Sequence, residues 1–473
     1  MVIHDFLPRH NAGSEIYTYT LARQLIARGH EVLLVYTESY HDRRQYKVSR
    51  GEIGGIPYRE IVYNSRYRHF RETYLNPAMD RIFHGILHEF RPEIVHLQHL
   101  QHLSLGIVDL VHEQGIPVVY TLHEYCLTCV RRGLRMTEEL ELCDTLDASK
   151  CAGCIPDEPV RIPPEPTPGE RVAAAYELLL PARIRRFIRK RLVTLRLVPK
   201  EIPTRPTLTP EDDLRWRTEA IEERWAAVRQ RIPAIDLFIA PSPFLRSKFL
   251  EFGVPEEKIV HSDYGFDSGD YGSHPRERSD TLSFGYIGTL VEHKGVHTLI
   301  AAMNRLDPGT GALHVWGDAT YFPDYSARIE ELARHPGIHF EGAFDNKDVA
   351  RILARVDVLV VPSLWFENSP LTIHEAFLAG VPVITTDLGG MRDLVQDGVS
   401  GLLFARGDDE DLARRMRELL EDPPLLERLR KGIPAVKTIE EDARWMEERY
   451  ALLLRRRRGE PAKLAAGEER SHP

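Results

Sequence analysis

Two glutamates eight positions apart, Glu367 and Glu375, are joined by a stretch that changes character midway. Glu367-Asn368-Ser369-Pro370 follows the apolar run Val358 to Val361 and reads as a loop. Leu371 opens a helix that places Glu375 one turn in. One carboxylate thus stands at a loop mouth and the other just inside a helix start. The amides at Ser369 and Leu371 point toward that start, where the dipole and free N–H groups favour a diphosphate. Spacing alone equally allows a solvated loop residue and a helix-face residue.

Other residues offer related chemistry. In Tyr286-Ile287-Gly288-Thr289-Leu290, Gly288 lets the backbone approach a ligand closely, and Lys294 can neutralise a leaving diphosphate. Gly13, in Asn11-Ala12-Gly13-Ser14-Glu15, precedes the first helix, and His123 ends an apolar strand. All five cysteines lie between Cys126 and Cys154. Cys129, Cys143, Cys151 and Cys154 fit one tetrahedral thiolate site for a structural zinc. Cys126 and Cys129 offer a second pair, so the ligand set can be chosen differently, and buried free thiols are the alternative.

These residues need a scaffold. At 473 residues the chain is long enough for two domains, and 42% hydrophobic with 28% charged residues reads as globular. Strand and helix signals alternate: helical spacing from Ile16 to Leu25, then strands at Glu31–Tyr36, Ile94–Leu97 and Pro117–Leu122. Such βα units predict a parallel sheet. The second half repeats the pattern with Leu282–Ile287, His314–Trp316, Val358–Val361 and Val383–Thr385. The expected division is a first domain at 1–267 with a helical insertion at about 155–232, a linker at 268–280, and a second domain at 281–440. A C-terminal helix at 441–458, packing back on the first domain, and a flexible tail at 459–473 complete it. Only Met1-Val2-Ile3 are left for the first strand, so a start upstream is one reading.

The net charge of −9 gives no overall pull toward nucleic acid. With no signal-peptide pattern and clustered, odd-numbered cysteines, a cytoplasmic protein is expected. Ile184, Phe187, Ile188, Leu192 and Leu195 share a helical face flanked by Arg185, Arg186, Arg189, Lys190 and Arg196. A basic amphipathic helix at 183–200 would make peripheral contact with the inner face of a membrane, or else pack on its own protein.

The stretch from Glu367 to Ile384 resembles the Glu-x7-Glu motif of retaining glycosyltransferases of family 4, which have the GT-B fold. The resemblance runs from about residue 3 to 450, apart from the insertion. It implies an α/β architecture of two doubly wound Rossmann-like domains facing across a cleft. It also implies that Glu375 binds the donor ribose, that Glu367 contacts the donor sugar, and that Asn368, Ser369, Pro370 and Leu371 line the donor. Gly288, Thr289 and Lys294 resemble the phosphate segment, with Thr289 where relatives often carry arginine. Gly13 resembles the loop that reaches the diphosphate, with Ala12 replacing a second glycine. Thr121-Leu122-His123-Glu124 is similar to the family's Thr-x-His-Asp segment, whose histidine faces the sugar. Gly317, Asp318 and Phe344 take the positions that line the base. Similar cysteines follow the histidine segment in a subset of the family.

The partners so implied are a UDP- or GDP-type nucleotide sugar and a glycan or lipid-linked acceptor, as in polysaccharide or glycoconjugate biosynthesis. No cofactor is required for catalysis. A nucleotide-sugar epimerase on the same fold and a non-catalytic glycan-binding homologue are the rival expectations.

Overall fold

The computed structural model describes residues 1–155, 209–269 and 281–460, except 41, 66 and 68, together with 271 and 274. Strands β1 (Val2–Ile3), β2 (Leu34–Glu38), β3 (Val48–Ile53), β4 (Ile56–Val62), β5 (Val95–Leu97), β6 (Val118–Thr121), β7 (Leu237–Ala240) and β8 (Ile259–His261) form one sheet. Its order is β3-β4-β2-β1-β5-β6-β7-β8. The second sheet holds β9 (Leu282–Ile287), β10 (Gly311–Trp316), β11 (Ile338–Gly342), β12 (Val358–Val361), β13 (Val383–Thr386) and β14 (Gly401–Phe404). Its order is β11-β10-β9-β12-β13-β14, and all its pairs are parallel.

Both orders are doubly wound. The direction of winding reverses between β1 and β5 in the first sheet, and between β9 and β12 in the second. A reversal opens a crevice at the carboxyl ends of the flanking strands. Strands β2, β5, β6, β7, β12 and β13 are buried along their whole length, as sheets covered on both faces require.

In the first sheet, one face packs the helices Pro77–Phe90, Gly106–Glu113, Pro210–Arg231 and Pro243–Phe252. The other packs Gly13–Ala27 with the C-terminal helix Ile439–Arg457 through Tyr17, Leu21, Leu25, Ile439, Ala443 and Met446. Thr438 and Glu441 form a capping box at the start of that last helix. The two crossings between the sheets run side by side, because Phe266 N–H donates to Lys437 O and Ile439 N–H to Phe266 O, both at 2.9 Å. Below them Asp442, fully buried, accepts from Tyr17 Oη at 2.9 Å and from Lys437 Nζ at 2.5 Å.

Several elements differ from the sequence reading. The strand expected at 31–36 begins at Leu34, with Val32 and Leu33 buried ahead of it. The antiparallel strand β3 was not anticipated, although Gly54-Gly55 marks it. Both glycines have positive φ and join Ile53 to Ile56 in a two-residue hairpin, a turn that side-chain-bearing residues rarely adopt. The last helix runs from Ile439 through Arg457, two residues earlier at its start and one at its end than the expected 441–458. The charges of Arg455 to Arg457 suit the negative end of the helix dipole. Of the expected insertion, Pro210–Arg231 is a 22-residue helix whose Ile221, Trp225 and Val228 join the domain core. Residues 156–208, including the basic helix at 183–200, lie outside the described residues, as do most of 268–280 and 461–473. No described helix is long and apolar enough to cross a membrane.

Met446 is wholly buried between the last helix and the first sheet. Met446→Ala should lower first-domain stability by about 2–5 kcal/mol in calorimetry. Glu448→Ala, on the exposed side, should change it by less than about 0.5 kcal/mol. Equal, small effects would detach this helix from the first-domain core.

Candidate active site

Three helices begin where the reversals open the crevices. Gly13–Ala27 follows β1, Val296–Met303 follows β9, and Leu371–Leu378 follows β12. None of the three carries a side-chain cap. Elsewhere Asn76, Thr209, Ser242, Asp408 and Thr438 cap their helices with side-chain oxygens. The first amides at the crevices are thus free of N-cap side chains, as are those of the helices at Gly106, Pro323 and Gly389. The buried Glu15 carboxyl bonds its own amide in the first turn of Gly13–Ala27. Gly13 and Leu371 meet across the cleft: a Cβ at position 13 would lie 3.3 Å from the Leu371 side chain. Two positive helix ends therefore converge from the two domains.

Beside them, Glu367 is 6% exposed. Its Oε1 accepts from Lys294 Nζ at 2.6 Å, Ser363 Oγ at 2.8 Å and Trp365 Nε1 at 2.9 Å. Burial works to raise this carboxyl, but the Lys294 charge and the three hydrogen bonds outweigh it and hold Glu367 below its ordinary value. Lys294 is aimed by a tight turn whose pivot is Gly295, at φ 71°. A Cβ there would fall 1.9 Å from Pro362 O, so the turn admits only glycine.

Glu375 keeps part of its surface open, while its carboxyl is walled off from bulk water and pushed up to about 7 by burial, against a hydrogen bond from Tyr271. Tyr271 and Phe344 both pack on the neighbouring core cluster of the second domain. Gly317 abuts the Gly288 carbonyl, where a Cβ would lie 2.5 Å away. Asp318 is spent on its own turn, accepting from Thr320 N–H and Oγ at 2.8 and 2.6 Å. The Thr289 carbonyl accepts from Tyr286 Oη at 2.8 Å.

The side chains of Asn368 and Ser369 hold the domains together. Asn368 Nδ2 donates to His123 O, and Ser369 Oγ donates to Asp263 Oδ1 at 2.7 Å. His374, kept neutral by burial, hydrogen-bonds Ser369 Oγ at 2.7 Å. His123 has both ring nitrogens engaged, Nδ1 with Tyr264 Oη and Nε2 with Gln98 Oε1, each at 2.7 Å. Burial drives its pKa down, so the ring is neutral. Gln98 Nε2 and Asn368 Oδ1, on two of the residues that hold His123, are buried without hydrogen-bond partners. Sequence reasoning missed Gln98, Asp263, Tyr264, Tyr271, Ser363 and Trp365. Only the last two carried a signal, their closeness to Glu367.

Cys129, Cys143, Cys151 and Cys154 gather in one lobe. Cys151 is pushed up to about 12 by burial and then by the three neighbouring thiols. Among the described residues, the one trio with ligand atoms within 4.8 Å of one another is a different set: His99, Glu124 and Cys126. Gln101 N–H donates to His99 Nδ1 at 2.9 Å, which leaves the ring proton on Nε2, facing Glu124 Oε1 at 2.9 Å. The nitrogen that would meet a metal is committed to that hydrogen bond, and the trio is a His–Glu dyad beside a thiol.

Residues 273–435 match the family described as Glycosyl transferases group 1, and residues 12–142 match Glycosyltransferase Family 4. Together the matches span more than half of the chain. The glycogen synthase of Mycobacterium tuberculosis is 33% identical over 159 residues, covering 32% of this chain and 37% of that protein. The lipopolysaccharide core biosynthesis glycosyltransferase LpsE of Rhizobium meliloti is 30% identical over 202 residues, 41% of this chain and 56% of that one. The chain thus spans about half or less of the length of these curated relatives. Among solved structures, Anabaena HepE in complex with UDP and glucose superposes with a TM-score of 0.59 at 16% identity, over 95% of this chain and 98% of that one.

Removing Lys294 would leave the Glu367 charge buried without its cation. Lys294→Met should therefore lower stability by roughly 3 kcal/mol near neutral pH in chemical denaturation. Glu367 has a depressed folded pKa, so the stability it contributes is present above its unfolded value of 4.5 and is lost as pH falls through the folded value. The gap between variant and parent should close on acidification below about pH 4.5. A gap independent of pH would mean the pair is not what Lys294 stabilises.

Proposed function

The chain belongs to glycosyltransferase family 4 and has the GT-B fold, and from that premise we propose that it transfers a hexosyl group with retention. The donor is a nucleoside diphosphate sugar of UDP or GDP type, and the acceptor is a glycan or lipid-linked sugar, as in polysaccharide or glycoconjugate biosynthesis. The observation that carries the reading is the meeting of uncapped helix starts at Gly13 and Leu371. A diphosphate placed between them takes backbone N–H groups from both domains, which ties donor binding to closure of the cleft.

Glu375 accepts the ribose hydroxyls, with Tyr271 and Phe344 toward the base. Lys294, released in part from Glu367, follows the charge that develops on the leaving diphosphate. Glu367 holds the donor sugar, with its Oε1 already accepting three hydrogen bonds. Attack of the acceptor hydroxyl on the leaving-group face, with the departing phosphate taking the proton, suits this arrangement. His123 organises the sugar pocket: the unpartnered Gln98 Nε2 and Asn368 Oδ1 beside it are a donor and an acceptor that sugar hydroxyls can satisfy. The basis in similarity is that HepE was solved with UDP and glucose and that LpsE is named for lipopolysaccharide core biosynthesis.

A structural zinc held by Cys129, Cys143, Cys151 and Cys154 would draw their sulfurs closer together, since no three of them lie within 4.8 Å of one another here. Arg135 N–H donates to Cys129 Sγ at 3.4 Å, and the thiols raise one another, a mutual cost that a dication reverses by drawing off their protons.

Radiolabelled UDP- and GDP-sugars with a mixed acceptor pool test the reaction. Labelled glycan with the donor's anomeric configuration supports retaining transfer. Epimerised donor without acceptor would indicate an epimerase, and nucleotide binding without turnover a binding protein. Because the Glu375 carboxyl sits near 7 and its ribose contacts need the ionised form, UDP affinity should rise from about pH 6 to 8 in calorimetry. Glu375→Gln should flatten that profile and weaken binding by roughly 1.5–3 kcal/mol. A flat profile in the parent would remove Glu375 from the ribose. For the lobe, elemental analysis should find one zinc per chain, lost with folded yield in Cys151→Ser. Metal-free protein of unchanged stability would leave four thiols.

A further inference from the structure

The loop that presents Glu367 is also held from outside the donor cleft. Arg406, just beyond β14, donates Nε–H to Leu364 O at 2.6 Å and Nη2–H to Leu140 O. Leu364 adjoins Trp365, whose indole N–H reaches Glu367. Leu140 belongs to the first domain, some 266 positions away in sequence.

Leu140 sits at the tip of a hairpin closed by a bridge between Met136 and Leu142 and by Thr137 N–H to Glu141 O at 2.9 Å. The base of the hairpin is rigid. Arg135, 2% exposed, donates to Cys143 O at 2.9 Å and Asp144 O at 2.6 Å, with its guanidinium over the Tyr125 ring. From behind, Trp225 Nε1 reaches Thr128 O at 2.8 Å and Arg224 reaches Leu127 O at 3.1 Å. Beneath the tip lies a cavity of about 470 Å³, with Glu139, Leu140 and Glu141 on one wall and His297, Leu364 and Arg406 on the other. A well-braced element of one domain therefore ends in a cationic contact with the other, at the loop that carries the buried carboxylate.

We propose that the lobe from Cys126 to Ile155 is an interdomain strap, and that Arg406 is the positioning residue that transmits its docking to Glu367 through Leu364 and Trp365. The effect on turnover rests on the donor-site reading above, whereas the strap itself does not. Arg406 reaches the two carbonyls with two different nitrogens, Nε and Nη2, held apart in one rigid plane, whereas a lysine brings all its N–H groups to a single atom.

Hydrogen exchange of the full chain, with Arg406→Ala and Arg406→Lys beside the parent, tests the strap. Arg406→Ala should speed exchange at both 136–143 and 363–367, segments of different domains. Arg406→Lys should restore one segment and not both. With UDP-glucose as donor, Arg406→Ala should raise KM roughly tenfold, with a smaller change in kcat. Faster exchange confined to 363–367, or unchanged exchange at 136–143, would overturn the strap. A parent enzyme that exchanges as expected but transfers sugar from none of the UDP- and GDP-sugars tested above would count against the donor reading and leave the strap standing.

Discussion

Glu367 carries a full charge where water is almost excluded, and a bare carboxylate there would be costly to bury. Its neighbours are arranged around that constraint. Lys294 supplies the opposite charge, Ser363 and Trp365 supply dipoles, and Gly295 permits the turn that brings the lysine within 2.6 Å. The loop is then fixed on both flanks, by Gly390 N–H to Glu367 O at 2.9 Å and by Arg406 to Leu364. Without this shell the carboxylate would gain a proton or turn to solvent, and the crevice of the second sheet would lose its polarity.

The same logic extends to the other domain. Ser369 and Asn368, next to Glu367, reach Asp263 and the His123 carbonyl. His123 in turn rests on Tyr264 and Gln98. Strand ends from both sheets thus share one polar network, and the histidine that sequence singles out for the sugar is also the point where that network crosses the cleft. The side-by-side crossings at Phe266 and Lys437, with Asp442 buried beneath them, keep the two halves of the network in register.

Local features were legible in the sequence. The Glu-x7-Glu stretch lies within one loop and helix, so its spacing already places both carboxylates. The alternating strands and helices gave the two doubly wound sheets, because a buried parallel strand reads as an apolar run. What the sequence hid is pairing over long separations. Tyr264 with His123, Asp263 with Ser369, and Arg406 with Leu140 are 141, 106 and 266 positions apart. Nothing in either partner's neighbourhood announces the other. Gly54-Gly55 is a different case, because the hairpin signal there is local. The cysteines lie between these extremes: they share one lobe, but the only ligand trio within 4.8 Å among the described residues formed around His99, which no motif marked.

The uncapped helix starts also govern how an anion reaches the cleft. Backbone dipoles act over a turn or so, and the nearby lysine is balanced by its carboxylate, while the chain as a whole carries −9. Seen from a distance, the molecule repels a negative ligand; seen from within the cleft, it attracts one. For an anion of the proposed donor's kind, the net charge thus gives no attraction at long range, and the local N–H groups act only near contact. Discrimination is left to contact geometry after arrival, so an anion that cannot span both domains leaves as easily as it came.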